Sequence, residues 1–175
     1  MNPFWIIHTG RLVLTPVSGG DLADLQAIKS DPRVFAIMLG GVRNRAQVSE
    51  ELAHDIVAWS INGYGIWVIR EAEGGRFAGL TGLEERPDGR GVALRFALWS
   101  EAQGRGFARE AAGAALRFGH DRAGLTRIVA VARESNFASR TVLGGIGMSP
   151  CDCFEQNGHR MVLYESCVPA REAGW

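Results

Sequence analysis

Two glycines stand in the run Gln103-Gly104-Arg105-Gly106-Phe107-Ala108, between a β-prone stretch (residues 92–99) and a segment where Phe107, Ala111, Ala115 and Phe118 recur every three to four positions. That places the pair where a strand gives way to an amphipathic helix. At a helix start, unpaired backbone N–H groups and the positive end of the helix dipole converge, and glycine lets phosphate oxygens approach without a Cβ in the way. The chemistry implied is the cradling of a pyrophosphate. Two better-known phosphate motifs are excluded. A dinucleotide fingerprint wants a small residue where Arg109 stands and an acid about twenty residues on, and a P-loop wants Gly-Lys followed by Ser or Thr.

The elements that must hold this turn can be read on either side of it. A first strand covers residues 11–15. A helix capped by Ser18 carries Leu22, Leu25 and Ile28 and stops before Asp31-Pro32, because the residue preceding proline is pushed out of α geometry. Asn44 with Gln47 forms a capping box for a second helix, whose apolar stripe is Val48, Leu52, Ile56 and Trp59 and whose end is Asn62-Gly63. Strands at 65–70, 77–83 and 92–99 follow, joined by short Gly-rich turns that favour antiparallel hairpins. After the glycine turn come a helix to about Arg122, a strand at 127–132 parallel to the one before it, and a helix at 137–144. A hairpin turning at Asn157-Gly158 completes the pattern. The order is β-α-α-β-β-β-α-β-α-β-β, a mixed α/β fold in one domain (residues 9–168), with 1–8 and 169–175 as terminal extensions.

Composition narrows the partners. The 175 residues are 46% hydrophobic, enough for one real core. Nineteen basic and nineteen acidic residues cancel, so no global field favours nucleic acid, and a small molecule or peptide is expected instead. The four-residue apolar run Phe4-Trp5-Ile6-Ile7 is too short for a secretion signal or membrane span, and the protein reads as cytoplasmic. Three cysteines, Cys151, Cys153 and Cys167, do not make a disulfide framework, and one Cys-x-Cys pair lacks the second pair of a metal site.

The Gln-x-x-Gly-x-Ala turn resembles the signature of the GNAT N-acetyltransferases, and the likeness runs from about Gly10 to Cys167. It is closest to the RimJ/RimL branch. Gly10-Arg11-Leu12-Val13-Leu14 is similar to that branch's opening strand, Ser30-Asp31-Pro32 to its helix end, and Gly65-Ile66-Trp67-Val68-Ile69 and Gly79-Leu80-Thr81-Gly82-Leu83 to its next strands. Residues 132–148 resemble its Asn-x-x-Ser-x-x-Val-Leu segment. The resemblance implies an antiparallel N-terminal sheet whose fourth and fifth strands (92–99 and 127–132) splay around acetyl-CoA. Backbone groups of Leu98 and Trp99 would then meet the pantetheine amides. The N–H groups of Gly104, Arg105, Gly106, Phe107 and Ala108 would take the pyrophosphate, with Gln103 completing the turn, Arg105 and Arg109 adding charge, and Asn136 and Ser139 reaching the coenzyme. No metal is expected.

Acetyl transfer to an amine needs a neutral amine, a donor for the oxyanion and a proton for the leaving thiolate. Near pH 7.4 a lysine-type amine of pKa about 10.4 costs roughly 4 kcal/mol to deprotonate, and an α-amine near 7.8 under about 1 kcal/mol. Relatives often carry a glutamate on the fourth strand, but Ala93 stands there in this chain, leaving Glu84, Glu85, Glu155 and His159 as open candidates for the base. Leu143 replaces the tyrosine that many acetyltransferases use on the thiolate, and Ser139 is the candidate proton donor. For Ser139 a local turn bond, and for Asn136 an ordinary N-cap, are the plainer readings. Leu98 N–H is the candidate oxyanion donor. Phe35, Trp67 and Arg95 are candidate acceptor-site residues. Arg95 could meet a carboxylate or simply pair with an acid across the sheet, and the two apolar residues could equally be core. The acceptor is a peptide N-terminus or small amine and the chain a monomer or homodimer. Two alternatives stay open: a non-catalytic acyl-CoA-binding module and an unrelated nucleotide-binding α/β protein.

Overall fold

Alternation sets the first strands. In the computed structural model, which describes residues 2–170, Leu12 and Leu14 are fully buried while Val13 and Thr15, which alternate with them, face outward and are half-buried. Met1 and the last five residues of the expected C-terminal extension, 171–175, lie outside the described residues. β1 (Ile7–His8), β2 (Leu12–Pro16), β3 (Ile66–Glu71), β4 (Phe77–Glu85) and β5 (Val92–Leu98) form an antiparallel run. β6 (Arg127–Arg133) joins β5 in parallel, and the hairpin of β7 (Ser149–Gln156) and β8 (His159–Cys167) adds antiparallel to β6. The eight strands lie in the order β1-β2-β3-β4-β5-β6-β8-β7. Residues 3–8 belong to this body: β1 pairs with β2, and Trp5 packs on Trp59.

Turn chemistry accounts for the hairpins. Asn157 and Gly158 both take positive φ (51° and 74°), the two-residue geometry whose twist suits flanking strands. At Gly79, backbones meet so closely that a Cβ would lie 2.2 Å from the Ala97 carbonyl oxygen, so only glycine lets β4 close on the end of β5.

Helices cover the sheet: α1 (Leu22–Ser30), α2 (Pro32–Phe35), α3 (Arg45–Asn62), α4 (Phe107–Asp121) and α5 (Phe137–Gly145). The Asn44–Gln47 capping box and left-handed Gly63 bound α3 as expected. Its buried face differs by one position. Val48, Leu52 and Trp59 are buried, but the fourth member is Asp55, while Ile56 is 39% exposed. A step of one residue turns the helix by about 100°, so the stripe holds either position 55 or 56 but not both. Trp5, Trp59, Trp67 and Phe118 form an aromatic cluster with ring centroids 4.7–6.1 Å apart. Each buried indole N–H is satisfied by a carbonyl: Trp59 bonds Ile66 O at 2.9 Å and Trp67 bonds Trp5 O at 2.7 Å.

Candidate active site

β5 and β6 each run for seven residues yet pair at one position, Ala93 with Val129. Their other flanks are fully laddered, seven positions of β5 on β4 and seven of β6 on β8. Beyond Ala93 the two strands therefore diverge. Trp99 N–H bonds the Ala78 carbonyl at 3.0 Å, and alternation along an antiparallel pair then turns the N–H and C=O groups of Phe96 and Leu98 into the gap. A cavity of about 900 Å³ occupies this wedge.

The glycine turn lies at the open end of the wedge. Gly106, at φ 78°, is the N-cap of α4 and brings no capping side chain, and the first helical bond runs from Glu110 N–H to Gly106 O. The N–H groups of Phe107, Ala108 and Arg109 precede that bond and have no carbonyl a turn earlier. Gly104, Gly106, Phe107, Ala108 and Arg109 all line the cavity. The turn is braced from outside. Arg11 donates from Nη1 to the Arg105 carbonyl at 2.8 Å, and Glu110 takes Arg11 N–H at 2.9 Å and the Thr9 hydroxyl at 2.6 Å. Burial pushes the Glu110 carboxyl up, but these bonds together hold it below its usual range. Arg11 was not expected at the site; its partners are some hundred residues away in sequence, and no local pattern announces them.

Two residues expected from sequence to contact the coenzyme have other partners in the structure. Both backbone groups of Trp99 are already engaged, its N–H by Ala78 and its C=O by Ala102 N–H at 2.9 Å, because the chain turns from β5 into a 3-10 turn there. The Arg105 guanidinium points away from the cavity. It makes a two-bond pair with Glu71 at 3.0 and 2.9 Å, lies 4.2 Å above the Phe107 ring, and with Arg76 holds the Glu71 carboxyl below its usual range. Arg109 lines the cavity instead and forms no ion pair among the described residues. Leu98 also lines it. Its carbonyl accepts from Gln103 Nε2 at 3.1 Å, which fastens the strand end to the turn and leaves the Leu98 N–H toward the gap.

On the β6 side, Asn136 caps α5, its Oδ1 taking Ser139 N–H at 3.1 Å. The cap uses the acceptor of the amide and leaves its NH₂ donors on the cavity wall. The half-buried Ser139 hydroxyl makes no bond within the described residues, so the local turn bond is formed by its backbone, not by its side chain. Leu143 is buried beside it.

The acceptor-side residues divide. Arg95 lines the cavity and pairs with Glu84 across the sheet. Trp67, fully buried, belongs to the aromatic cluster, and Phe35, the last residue of α2, is also fully buried; neither lines the cavity. Their neighbours do: Val34, Ile37, Met38 and Leu39 make an apolar wall, with Ile37 and Leu39 partly in solvent. Among the acids left open from sequence, Glu84 and Glu85 line the cavity, as does His159; Glu155 does not. Glu84 is the register partner of Ala93.

A sequence model of the acetyltransferase (GNAT) domain matches residues 11–149. An FsC-acetyl coenzyme A-N(2)-transacetylase of Aspergillus fumigatus is 26% identical over 162 residues, covering 85% of this chain and 66% of that relative, so the chain spans somewhat under two thirds of that protein's length. Among solved structures, an acetyltransferase from Agrobacterium tumefaciens superposes with TM-score 0.81 at 24% identity, covering 93% of this chain and 94% of its own. An acetyl transferase from Salmonella typhimurium that modifies the N-terminal serine of a 50S ribosomal subunit protein superposes with TM-score 0.78 at 17% identity, covering 94% and 99%.

Proposed function

The chain belongs to the GNAT acetyltransferase family, and from that premise we propose that it moves an acetyl group from acetyl-CoA to a primary amine by direct attack on the thioester. The observation that carries this reading is the wedge: two strands joined at one position, with an uncapped helix start at their open end. The turn suits a diphosphate, because a side chain at Gly106 would be strained at φ 78° and would crowd Arg11 Nη2 at 3.3 Å. The N–H groups of residues 104–108 and the Arg109 guanidinium would hold it. The strand groups of Phe96 and Leu98 would pair with the amides of the pantetheine arm, as an added strand does.

The acceptor amine must arrive neutral. Its nitrogen bonds the carbonyl carbon, the C–S bond breaks, and one proton moves in net from nitrogen to sulfur. A gap-facing β5 N–H around Leu98 that the arm leaves unpaired would donate to the oxygen as it gains charge, and the Ser139 hydroxyl, unbonded within the described residues, would donate to the thiolate. The amine would stand next to the apolar wall of Val34, Ile37, Met38 and Leu39, which suits a nonpolar group beside the nitrogen better than a polycation. A peptide N-terminus or a small primary amine fits this description. All three cysteines are free thiols, which suits a reducing compartment, and the cytoplasm is the one we propose. No helix among the described residues is long and apolar enough to cross a membrane.

The replacement of the expected tyrosine by buried Leu143 supports a second reading, a module that holds acyl-CoA without turnover. The two separate cleanly. Titration with acetyl-CoA, followed by thiol release with a serine-initiated peptide, spermidine and phenethylamine, should show both binding and turnover. Binding with no thiol released by any amine would favour the module, and no binding would end both readings.

A further inference from the structure

The two faces of the sheet at the wedge differ in what they carry. A Cβ on Gly119 of α4 would run into Ile128 and Leu83, so these positions mark the face that α4 covers. Alternation along β6 then turns Val129, Val131 and Arg133 to the opposite face, where Val129 and Val131 pack with Ala93 in a small second core. Arg95 shares that face with Ala93, because Leu94 between them is the register partner of Leu83. The diphosphate turn opens α4 and so belongs to the first face. Arg133 is four residues beyond Val129, where β5 and β6 still pair, which puts it at the level of Ala97, about 13 Å up the wedge at the usual strand rise. It is thus next to the level of Leu98, on the other strand.

Five arginines line the cavity, and they are unevenly matched by acids. Arg33 pairs with Asp31 at 2.6 Å, Arg86 with Asp88 at 2.6 Å, and Arg95 with Glu84. Arg109 stands in the first turn of α4, beside the diphosphate cradle. Arg133 is left over. It is half-buried on the cavity wall and makes no hydrogen bond or ion pair among the described residues. The acid next to it in sequence, Glu134, pairs with Arg160 at 3.5 Å, and Glu155 does not line the cavity. Glu85 does, but it is exposed and opposite Val92, about five strand levels or 17 Å below Arg133. A guanidinium drawn partly out of water with no acid beside it is costly unless a ligand brings the anion.

We propose that Arg133 binds a carboxylate on the acceptor, so that the preferred substrate is a primary amine with an acid group close to it: a free amino acid, or a peptide whose second residue is acidic. The proposal rests on the acetyl-transfer reading above and narrows its acceptor. Arg95, the arginine that sequence offered for a carboxylate, is neutralised by Glu84, whereas the planar fork of Arg133 is open to take two carboxylate oxygens at once. The two strands then divide the recognition. The apolar wall comes from α2 and the turn after it, and α2 packs on β5; Arg133 comes from β6, with Gln156, Asn157 and His159 of the last hairpin beside it on the cavity wall. An amine held between them meets a nonpolar surface on one side and a cation on the other.

The test uses two pairs of amines that differ in one acid group: peptides beginning Ser-Asp and Ser-Asn, and phenylalanine with phenethylamine. The acid also changes the basicity of the amine itself, so what is read is the acidic-to-neutral ratio of kcat/KM in the unaltered chain against the same ratio in R133Q and R133K. Thermal unfolding with acetyl-CoA checks that each variant is folded and holds the donor. In at least one pair the unaltered chain should prefer the acidic member, and which pair does so tells a peptide acceptor from an amino acid. R133Q should raise KM for that member about tenfold or more and leave the neutral member and acetyl-CoA within about twofold. R133K, which keeps the charge and loses the fork, should recover part of the preference. An unaltered chain that prefers the neutral member of both pairs overturns the proposal, as does a ratio that R133Q leaves unchanged. A raised KM for acetyl-CoA with the ratio intact would assign Arg133 to the coenzyme phosphates instead. If none of the four amines is acetylated, the transfer reading has failed and this proposal falls with it, which is a different result from an active chain indifferent to Arg133.

Discussion

At Gly106 the backbone sits at φ 78°, where an L side chain costs about 1–2 kcal/mol and a β-branched one more, and the same residue opens α4 onto the cavity. Gly106→Val should therefore abolish stabilisation by acetyl-CoA in thermal unfolding while the circular dichroism stays native; protection equal to that of the unaltered chain would remove the turn from the site. Ser139 offers the opposite contrast. Its hydroxyl supports nothing in the fold, so Ser139→Ala should leave the melting temperature within about 1 °C and act on kcat alone, with the loss measured as thiol release at saturating amine. A fall in stability of several degrees would return the hydroxyl to a structural part. The glycines were legible because a positive φ at a helix start leaves few residues to choose from. Which arginine faces the cavity was not: Arg105 and Arg109 look alike in sequence, and the difference is made by Glu71, 34 residues before Arg105.

Elements were readable where their signals are local. The α3 capping box, the Gly63 stop and the Asn157-Gly158 turn each depend on side chains within three residues, and all are found in place. The register of α3 depends on what the helix packs against, so Asp55 and Ile56 exchange places relative to the expected stripe. The β4–β5 hairpin carries a local device of its own. Asp88 accepts from Arg86 Nη2 at 2.6 Å, and that guanidinium holds the Asp88 carboxyl down at about 2. A carboxyl lowered on folding adds stability in full above the unfolded value of 3.8 and loses it as pH falls toward 2. With a third of the Asp88 side chain in solvent, screening leaves about 1 kcal/mol. Urea unfolding of Asp88→Asn should show that deficit at pH 6 and a smaller one at pH 3; a deficit that does not shrink would point to the backbone bond to Arg90 instead.

For the whole molecule, the division between core and site is what topology decides. Trp67, which a sequence reader could place in an acceptor pocket, lies in an aromatic cluster joining α3, β3 and α4, with the N-terminal residues drawn in through Trp5. The parallel β5–β6 neighbourhood followed from a helix between two strands. Their divergence did not follow from residue patterns, since nothing in residues 92–98 or 127–133 marks where a ladder stops, and only likeness to a family suggested it. Trp67 tests that division. Trp67→Phe keeps a ring but removes the N–H that bonds Trp5 O, leaving that part-buried carbonyl short of a donor. A cost of about 1–3 kcal/mol in urea unfolding is expected from the lost bond, added to a smaller packing defect. KM for the amine should stay within about twofold, because no part of the ring reaches the cavity. Stability unchanged with a raised KM would mean that the aromatic cluster opens to the acceptor, and the boundary between core and site would have to be redrawn around α3.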